Sequence, residues 1–386
     1  MDIAGFSAKL NEWLSEKALP LWRDKGFDGA GGGGFVETID LAGQPTRANR
    51  RSRVQPRQVY CFAEAGRRGW SGDWQTPATD GLAYFDRVYL QPSGFYGALA
   101  DADGNLIDAS FDLYNQAFAL LAFAYLAQVF PGRKAEMIDR SNTLRDRLEA
   151  HCKHSSIGFE EDNPPRLPLG SNPHMHLFEA CLASETVDGF DTMAWTNLAD
   201  EIAFLCMDHF IDRETGALRE FFDHDWAPIS GDQGRIVEPG HQFEWAWLLL
   251  RWAERRGNAD GLVKARRLFE IGEQYGIAQP RDVAVMTLFD DFSVADPIAR
   301  LWPQTEWLKS AIHFAALTQG EERERYLRSA VRAATALQSF LDTPAEGLWR
   351  DKQKADGSFV DEPAPASSFY HILCAIYELD DCLKRL

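Results

Sequence analysis

"IVEPGHQFEWAWLLLRWAERRG", residues 236–257, reads as one helix whose buried face is paved with tryptophan and leucine. Pro239 and Gly240 mark its start, and apolar residues then recur at three- and four-residue spacing. His241 and Glu244 stand at its head, three residues apart and so on one face. A carboxylate bonded to an imidazole fixes its tautomer and raises its basicity, which is the pattern of a general base. The plainer alternative is Glu238 as a capping acid beside a histidine that only packs.

The same periodicity predicts helices over 6–21, 54–69, 76–89, 111–129, 134–151 and 174–186. It continues over 193–210, 240–256, 259–275, 305–317, 321–341 and 367–386. Thr76 before Pro77 and Asn172 before Pro173 fit as N-caps. Between helices, the stretches 33–45, 94–108, 216–226 and 347–363 alternate short apolar runs with Gly and Asp, as small hairpins or extended loops do. An even number of helices, joined alternately by short turns and long loops, predicts a closed ring of helical hairpins, an (α/α)6 barrel. Its inner helices would start, with the long loops, at one cleft. An open solenoid would look similar, but no repeated motif supports it. No linker or composition break divides the chain, so residues 1–386 read as a single domain.

The formal net charge is −18, spread along the 386 residues. Such a field repels nucleic acid, anionic membranes and polyanions, which leaves a neutral small molecule as the natural ligand. The six cysteines fall singly, with no CxxC pair, so neither a zinc ribbon nor a disulfide framework is expected. The N-terminus is amphipathic and acidic, unlike a targeting peptide, and no apolar run is long enough to cross a membrane. A soluble, cytoplasmic monomer or homodimer is expected.

His371, in "ASSFYHILCAIYELDDCL", opens the last helix, which in a ring closes against the first. A core role is the plainer reading, yet two histidines flanking a cavity make an acid–base pair. "NPHMHLFEACLA" holds His174, His176 and Glu179. Helical residues two apart face different ways, so one inward histidine with Asn172, bonding a polyol, fits better than a metal site. Arg57, inside a helical pattern, needs oxygen partners, while Arg51 and Arg53 read as solvated or paired with local acids. Tyr114 and Gln116 head one helix, and Trp302, Gln304, Glu306 and Trp307 head another. Aromatics at a cleft mouth stack on sugar rings, and amides and carboxylates bond hydroxyls. "DGAGGGGFVE" lacks the Lys-Ser/Thr of a phosphate loop and reads as a glycine turn or lid. Glu179, Glu244, Glu306 and Asp112 leave a carboxylate pair for glycoside hydrolysis as a rival.

Taken together, "VQPRQVYCFAEAGRRGW", "LYNQAFALLAFAY", "NPHMHLFEACLA", "EPGHQFEWAWLL", "LWPQTEWLKSA" and "FYHIL" resemble the N-acylglucosamine 2-epimerase superfamily. The motifs run in order from about Arg53 to the last helix. The resemblance implies an (α/α)6 barrel, with His241 and His371 moving protons at C1 and C2 of a sugar and Glu244 partnering His241. It places Arg57, Tyr114, Asn172 and His176 on sugar oxygens and Trp302 and Glu306 along the cleft. No metal or other cofactor is implied. The segments look most like the bacterial mannose-isomerase branch, acting on free mannose and fructose, with 2-epimerisation the alternative. A 6-phosphate substrate is disfavoured, because no clustered basic pocket is evident in so acidic a chain. A sugar-binding protein without catalysis is the reading outside enzymology, and retention of both histidines counts against it.

Overall fold

The computed structural model describes residues 1–30 and 32–386, and twelve helices of eleven residues or more carry the chain. In order they are α1 (Ile3–Trp13), α2 (Val54–Arg67), α3 (Gln75–Tyr89), α4 (Leu113–Val129), α5 (Lys134–His151) and α6 (Ser171–Ser184). There follow α7 (Thr192–Leu205), α8 (Pro239–Arg256), α9 (Ala259–Tyr275), α10 (Leu301–Leu317), α11 (Gly320–Phe340) and α12 (Ser367–Leu383). The even-numbered helices form an inner ring in which each packs on the next and α12 returns to α2. Helices α3, α5, α7, α9 and α11 lie outside, each against the inner helix it follows, and α1 completes the outer layer against α11 and α12. The two ends of the chain thus close an (α/α)6 barrel. Trp22, Trp349 and Phe369 stack at that seam, with ring centroids 4.8, 5.8 and 5.6 Å apart.

Burial follows the layer. In α10 every side chain from Leu301 to Ala315 is buried, because an inner helix has neighbours on all sides. Outer helix α11 buries only one stripe, including Tyr326, Ala330, Ala333 and Leu337. The ends of α8 are those written in its sequence: Pro239 at the first position, and Gly257 left-handed at φ 62° past the last. The caps expected at Thr76 and Asn172 are corrected, since α3 and α6 start earlier and hold Pro77 and Pro173 at their third residues. Proline is tolerated throughout a first turn because those amides have no intrahelical acceptor to lose.

Small antiparallel ladders occupy the connectors that lead into the inner helices. The stretch 94–108 forms a hairpin, Leu99–Ala100 with Leu106–Asp108. Others join successive modules: Leu169–Gly170 pairs with Phe221–Phe222, and Ala299–Arg300 with Lys352–Gln353. Thr38–Ile39 pairs with Ala364–Pro365, across the ring closure. Two further ladders, within 277–296, carried no sequence signal. Of the expected glycine turn, Gly32 and Gly33 have φ of 97° and 91°, and Gly31 lies outside the described residues. No described helix is long and apolar enough to cross a membrane, and all six cysteines are buried and free.

Candidate active site

At the head of four inner helices a glutamine grips the backbone of the connector before it. Gln55 accepts from the Phe35 amide at 2.8 Å and donates to the Phe35 carbonyl at 3.0 Å. Gln116 does the same to Tyr96, Gln242 to Leu218 and Gln304 to Ala284, all at 2.8–3.0 Å. In α6 His174 takes this place, its Nδ1 donating to the Gly170 carbonyl at 3.0 Å and its Nε2 accepting from the Phe159 amide at 3.1 Å. Two residues turn a helix by about 200°, and four return it to nearly the same face. Residues two before and two after each clamp therefore point away from the connector and toward the barrel axis. Tyr114, Asn172 and Trp302 stand two before a clamp; Arg57, His176, Glu244 and Glu306 stand two after.

These side chains converge on a cleft of ≈ 430 Å³, which His241 and His371 also line; Glu306 lies one layer beneath. Nδ1 of His241 is 2.9 Å from Oε2 of Glu220 and 3.5 Å from Oε2 of Glu238. The expected pairing of His241 with Glu244 is corrected. Helical side chains lean toward the helix start, which brings the imidazole to the connector carboxylates, while Glu244 lies a turn deeper. Burial alone would lower the pKa of His241, but the charges of Glu220 and Glu238 outweigh it and raise it to about 10. Burial likewise lifts Glu238 to about 7, against the pull of His241.

His371 has the opposite environment. Its Nδ1 lies 2.8 Å from Oε1 of Glu306, whose Oε2 is 2.6 Å from Nζ of Lys309. Burial first, then the charges of Arg57 and Lys309, hold His371 well below the ordinary histidine range. The Trp302 ring touches both histidines, its centroid 5.1 Å from that of His241 and 5.7 Å from that of His371. Arg57 is held by the Tyr114 hydroxyl and by the Ser367 carbonyl, 3.2 Å away, with its guanidinium 4.1 Å over the Phe118 ring. His176 donates to Glu179 at 3.4 Å; burial drives its pKa down to about 3, so it is neutral. Asn172 presents a buried Oδ1 that has no hydrogen-bond partner among the described residues.

The family described as N-acylglucosamine 2-epimerase (GlcNAc 2-epimerase) matches residues 33–375. This chain belongs to that family. Within the curated relatives, a mannose-6-phosphate isomerase of Rhizobium meliloti (strain 1021) is 77% identical over 386 residues, covering all of both chains. A D-mannose isomerase of Marinomonas mediterranea is 24% identical over 373 residues, covering 90% of this chain and 91% of its own. A D-mannose isomerase crystal structure superposes with a TM-score of 0.87 at 22% identity, covering 99% of each chain. The likeness in shape confirms the barrel; as a member of an epimerase and isomerase family, the chain is an enzyme acting on a small sugar.

Set against the N-acylglucosamine 2-epimerase motifs, every residue expected at the site is at the cleft or directly below it. Of the His-x-His pair only His176 faces the cleft, since both ring nitrogens of His174 are spent on backbone. Two sets, His176 with Glu179 and Glu244, and Glu244 with Glu306 and His371, each place three possible metal-ligand atoms within 4.8 Å of one another. Sequence reasoning missed Glu220, which hid in a stretch read as a small hairpin or extended loop, and Lys309. The signal for Lys309 was a lone cation in a helix with no polar face. Arg51 and Arg53 do pair with acids as expected, and they also line the cleft together with Arg300, which the sequence did not indicate. Their partners are Glu37, Asp112 and Asp351 respectively.

Proposed function

We propose that residues 1–386 act as one domain, a cofactor-independent aldose–ketose isomerase that interconverts D-mannose and D-fructose. The observation that carries this reading is a pair of histidines on one cleft with opposite surroundings: His241 against the carboxylates of Glu220 and Glu238, which favour its cation, and His371 buried near Arg57 and Lys309, which favour its neutral form. Environments that push two titratable groups apart assign an acid and a base.

Only the open-chain aldehyde acidifies the C2–H bond. His371 takes that proton through Nε2, and the C–H electrons form the C1=C2 bond of a cis-enediol as His241 donates a proton to O1. Arg57 stabilises the charge that develops on the oxygens. Loss of the O2 proton back to His241 and delivery of the carbon-bound proton to C1 complete the ketose, with both histidines restored. Asn172 and His176 hold hydroxyls, and Trp302 packs on the carbon chain.

The names of the Rhizobium and Marinomonas relatives both contain mannose, which supports that sugar. The 77% identity with a mannose-6-phosphate isomerase favours a second reading, the phosphorylated sugar. The arrangement of charge favours the free one. Arg51, Arg53 and Arg300, which line the cleft with Arg57, are already engaged by the carboxylates of Glu37, Asp112 and Asp351, while burial pushes the cleft carboxyls Asp112, Glu161, Glu238 and Glu244 toward their neutral forms. The family's epimerases make 2-epimerisation the remaining alternative, which requires a proton donor on the opposite face of C2.

A proton NMR time course in D2O, run in parallel with mannose and mannose 6-phosphate, tests the reading. Fructose formed from mannose with the higher kcat/KM supports it. A higher kcat/KM for mannose 6-phosphate reassigns the substrate, and glucose formed without prior fructose reassigns the reaction.

A further inference from the structure

Beneath the cleft lies a cation that the scheme above leaves unused. Lys309 of α10 has no exposed surface; its Nζ lies 2.6 Å from Oε2 of Glu306 and 3.9 Å from the centre of the Trp247 ring. An ammonium removed from water is costly unless carboxylates and ring faces replace its hydration. Those facing Lys309 are Glu306 on its own helix, Glu244 and Trp247 from α8, Glu179 from α6, and the Cys374 thiol from α12. The second oxygen of Glu306 lies 2.8 Å from Nδ1 of His371, so ammonium, carboxylate and imidazole form one chain from the floor to the cleft.

We propose that Lys309 is a positioning residue: its ammonium keeps Glu306 a carboxylate, so that Glu306 accepts the Nδ1–H of His371 and leaves Nε2 free on the cleft side. The inference rests on His371 being the base proposed above. Burial raises the pKa of Glu306 above the ordinary carboxylate value, and the ammonium 2.6 Å away is the chief influence opposing that rise. A protonated Glu306 would donate to Nδ1 and turn the imidazole into its Nε2–H tautomer, which cannot take a proton from C2. Lys309 and Arg57 together also disfavour imidazolium at His371, where Glu179 favours it and Arg300 adds to the opposition.

The test combines nitrogen-15 NMR of the imidazoles with kinetics of Lys309→Met, which keeps most of the stem, and Lys309→Arg, which keeps the charge. In the wild type, His371 is expected neutral with its proton on Nδ1 at pH 7. In Lys309→Met the Nε2–H or imidazolium form should appear, with kcat down about 100-fold or more and KM within about 3-fold, as a wrong tautomer costs other histidine bases. Lys309→Arg should restore the Nδ1–H form and most of kcat. A wild-type His371 protonated on Nε2 overturns the proposal even where the methionine variant fails to fold. A folded Lys309→Met with wild-type kcat and tautomer overturns it as well. An inactive wild type with the expected tautomer would instead count against the proposed reaction.

Discussion

Nδ1 of His241 lies 2.9 Å from Oε2 of Glu220, a residue 21 positions upstream on the connector that precedes its helix. Ser171 donates to the same oxygen at 2.7 Å, fixing the carboxylate from α6. The imidazole charge is thus set by an element other than the helix that bears it. Replacing Glu220 by Gln removes the charge that raises the pKa of His241 to about 10. Activity that needs the imidazolium is present below that pH and lost above it, so the alkaline limb of kcat/KM should move down by one pH unit or more. Glu244→Gln, which removes a weaker contribution, should move that limb less. A raised folded-state pKa also contributes stability that is complete below the ordinary value of 6.5 and lost as pH rises through about 10. Thermal melts across that range should show the loss, and Glu220→Gln should flatten it.

His241→Ala and His371→Ala should each lower turnover about 10²- to 10⁴-fold, the usual worth of a positioned acid or base. Circular dichroism should remain native, and a wild-type rate in either variant removes that residue from the scheme.

Arg57→Lys should lower kcat about 10²- to 10³-fold, the cost of losing a fixed donor at a developing oxyanion. Lysine cannot reproduce a planar group held by the Tyr114 hydroxyl and the Ser367 carbonyl over the Phe118 ring. Steady-state kinetics on mannose should show the loss mainly in kcat.

Treatment with EDTA should leave activity unchanged, because the scheme draws its positive charge from Arg57 and His241. Loss on chelation, with recovery on adding a divalent metal, would point to a metal at one of the two cleft sets, His176 with Glu179 and Glu244 or Glu244 with Glu306 and His371.

Trp349→Ala should destabilise the fold by about 3–5 kcal/mol, read as a lowered denaturant midpoint, because it empties a fully buried site. The residue stacks on Trp22 and Phe369, where the start and the end of the chain close the ring.

The helices were legible because burial repeats at helical spacing, and Pro239 and Gly257 mark the ends of α8 as its sequence implies. The clamps were not: Gln55, Gln116, Gln242 and Gln304 are ordinary glutamines until the connector each one grips is seen beside it. Once they are aligned, a repeat emerges that the bare sequence did not show. Arg57, His176, Glu244 and Glu306 all occupy the position two residues past a clamp. The helix starts before Pro77 and Pro173 were missed because proline marks a first turn without saying which residue of it.

By itself, the sequence determined the helical class, pointed to a ring of hairpins, and named His241, His371, Arg57 and the other motif residues at the cleft, though not Glu220 or Arg300. Each of these follows from spacing along one chain or from motifs carried within single helices. The tertiary structure alone decided the partners: Glu220 rather than Glu244 for His241, Glu306 for His371, and Lys309 against the far oxygen of Glu306. The protonation of a buried group depends on the charges within a few ångströms in space, whichever helix supplies them. Two histidines at the heads of apolar helices look alike as sequence. Surrounded by different neighbours, one is favoured as a cation and the other as a neutral ring.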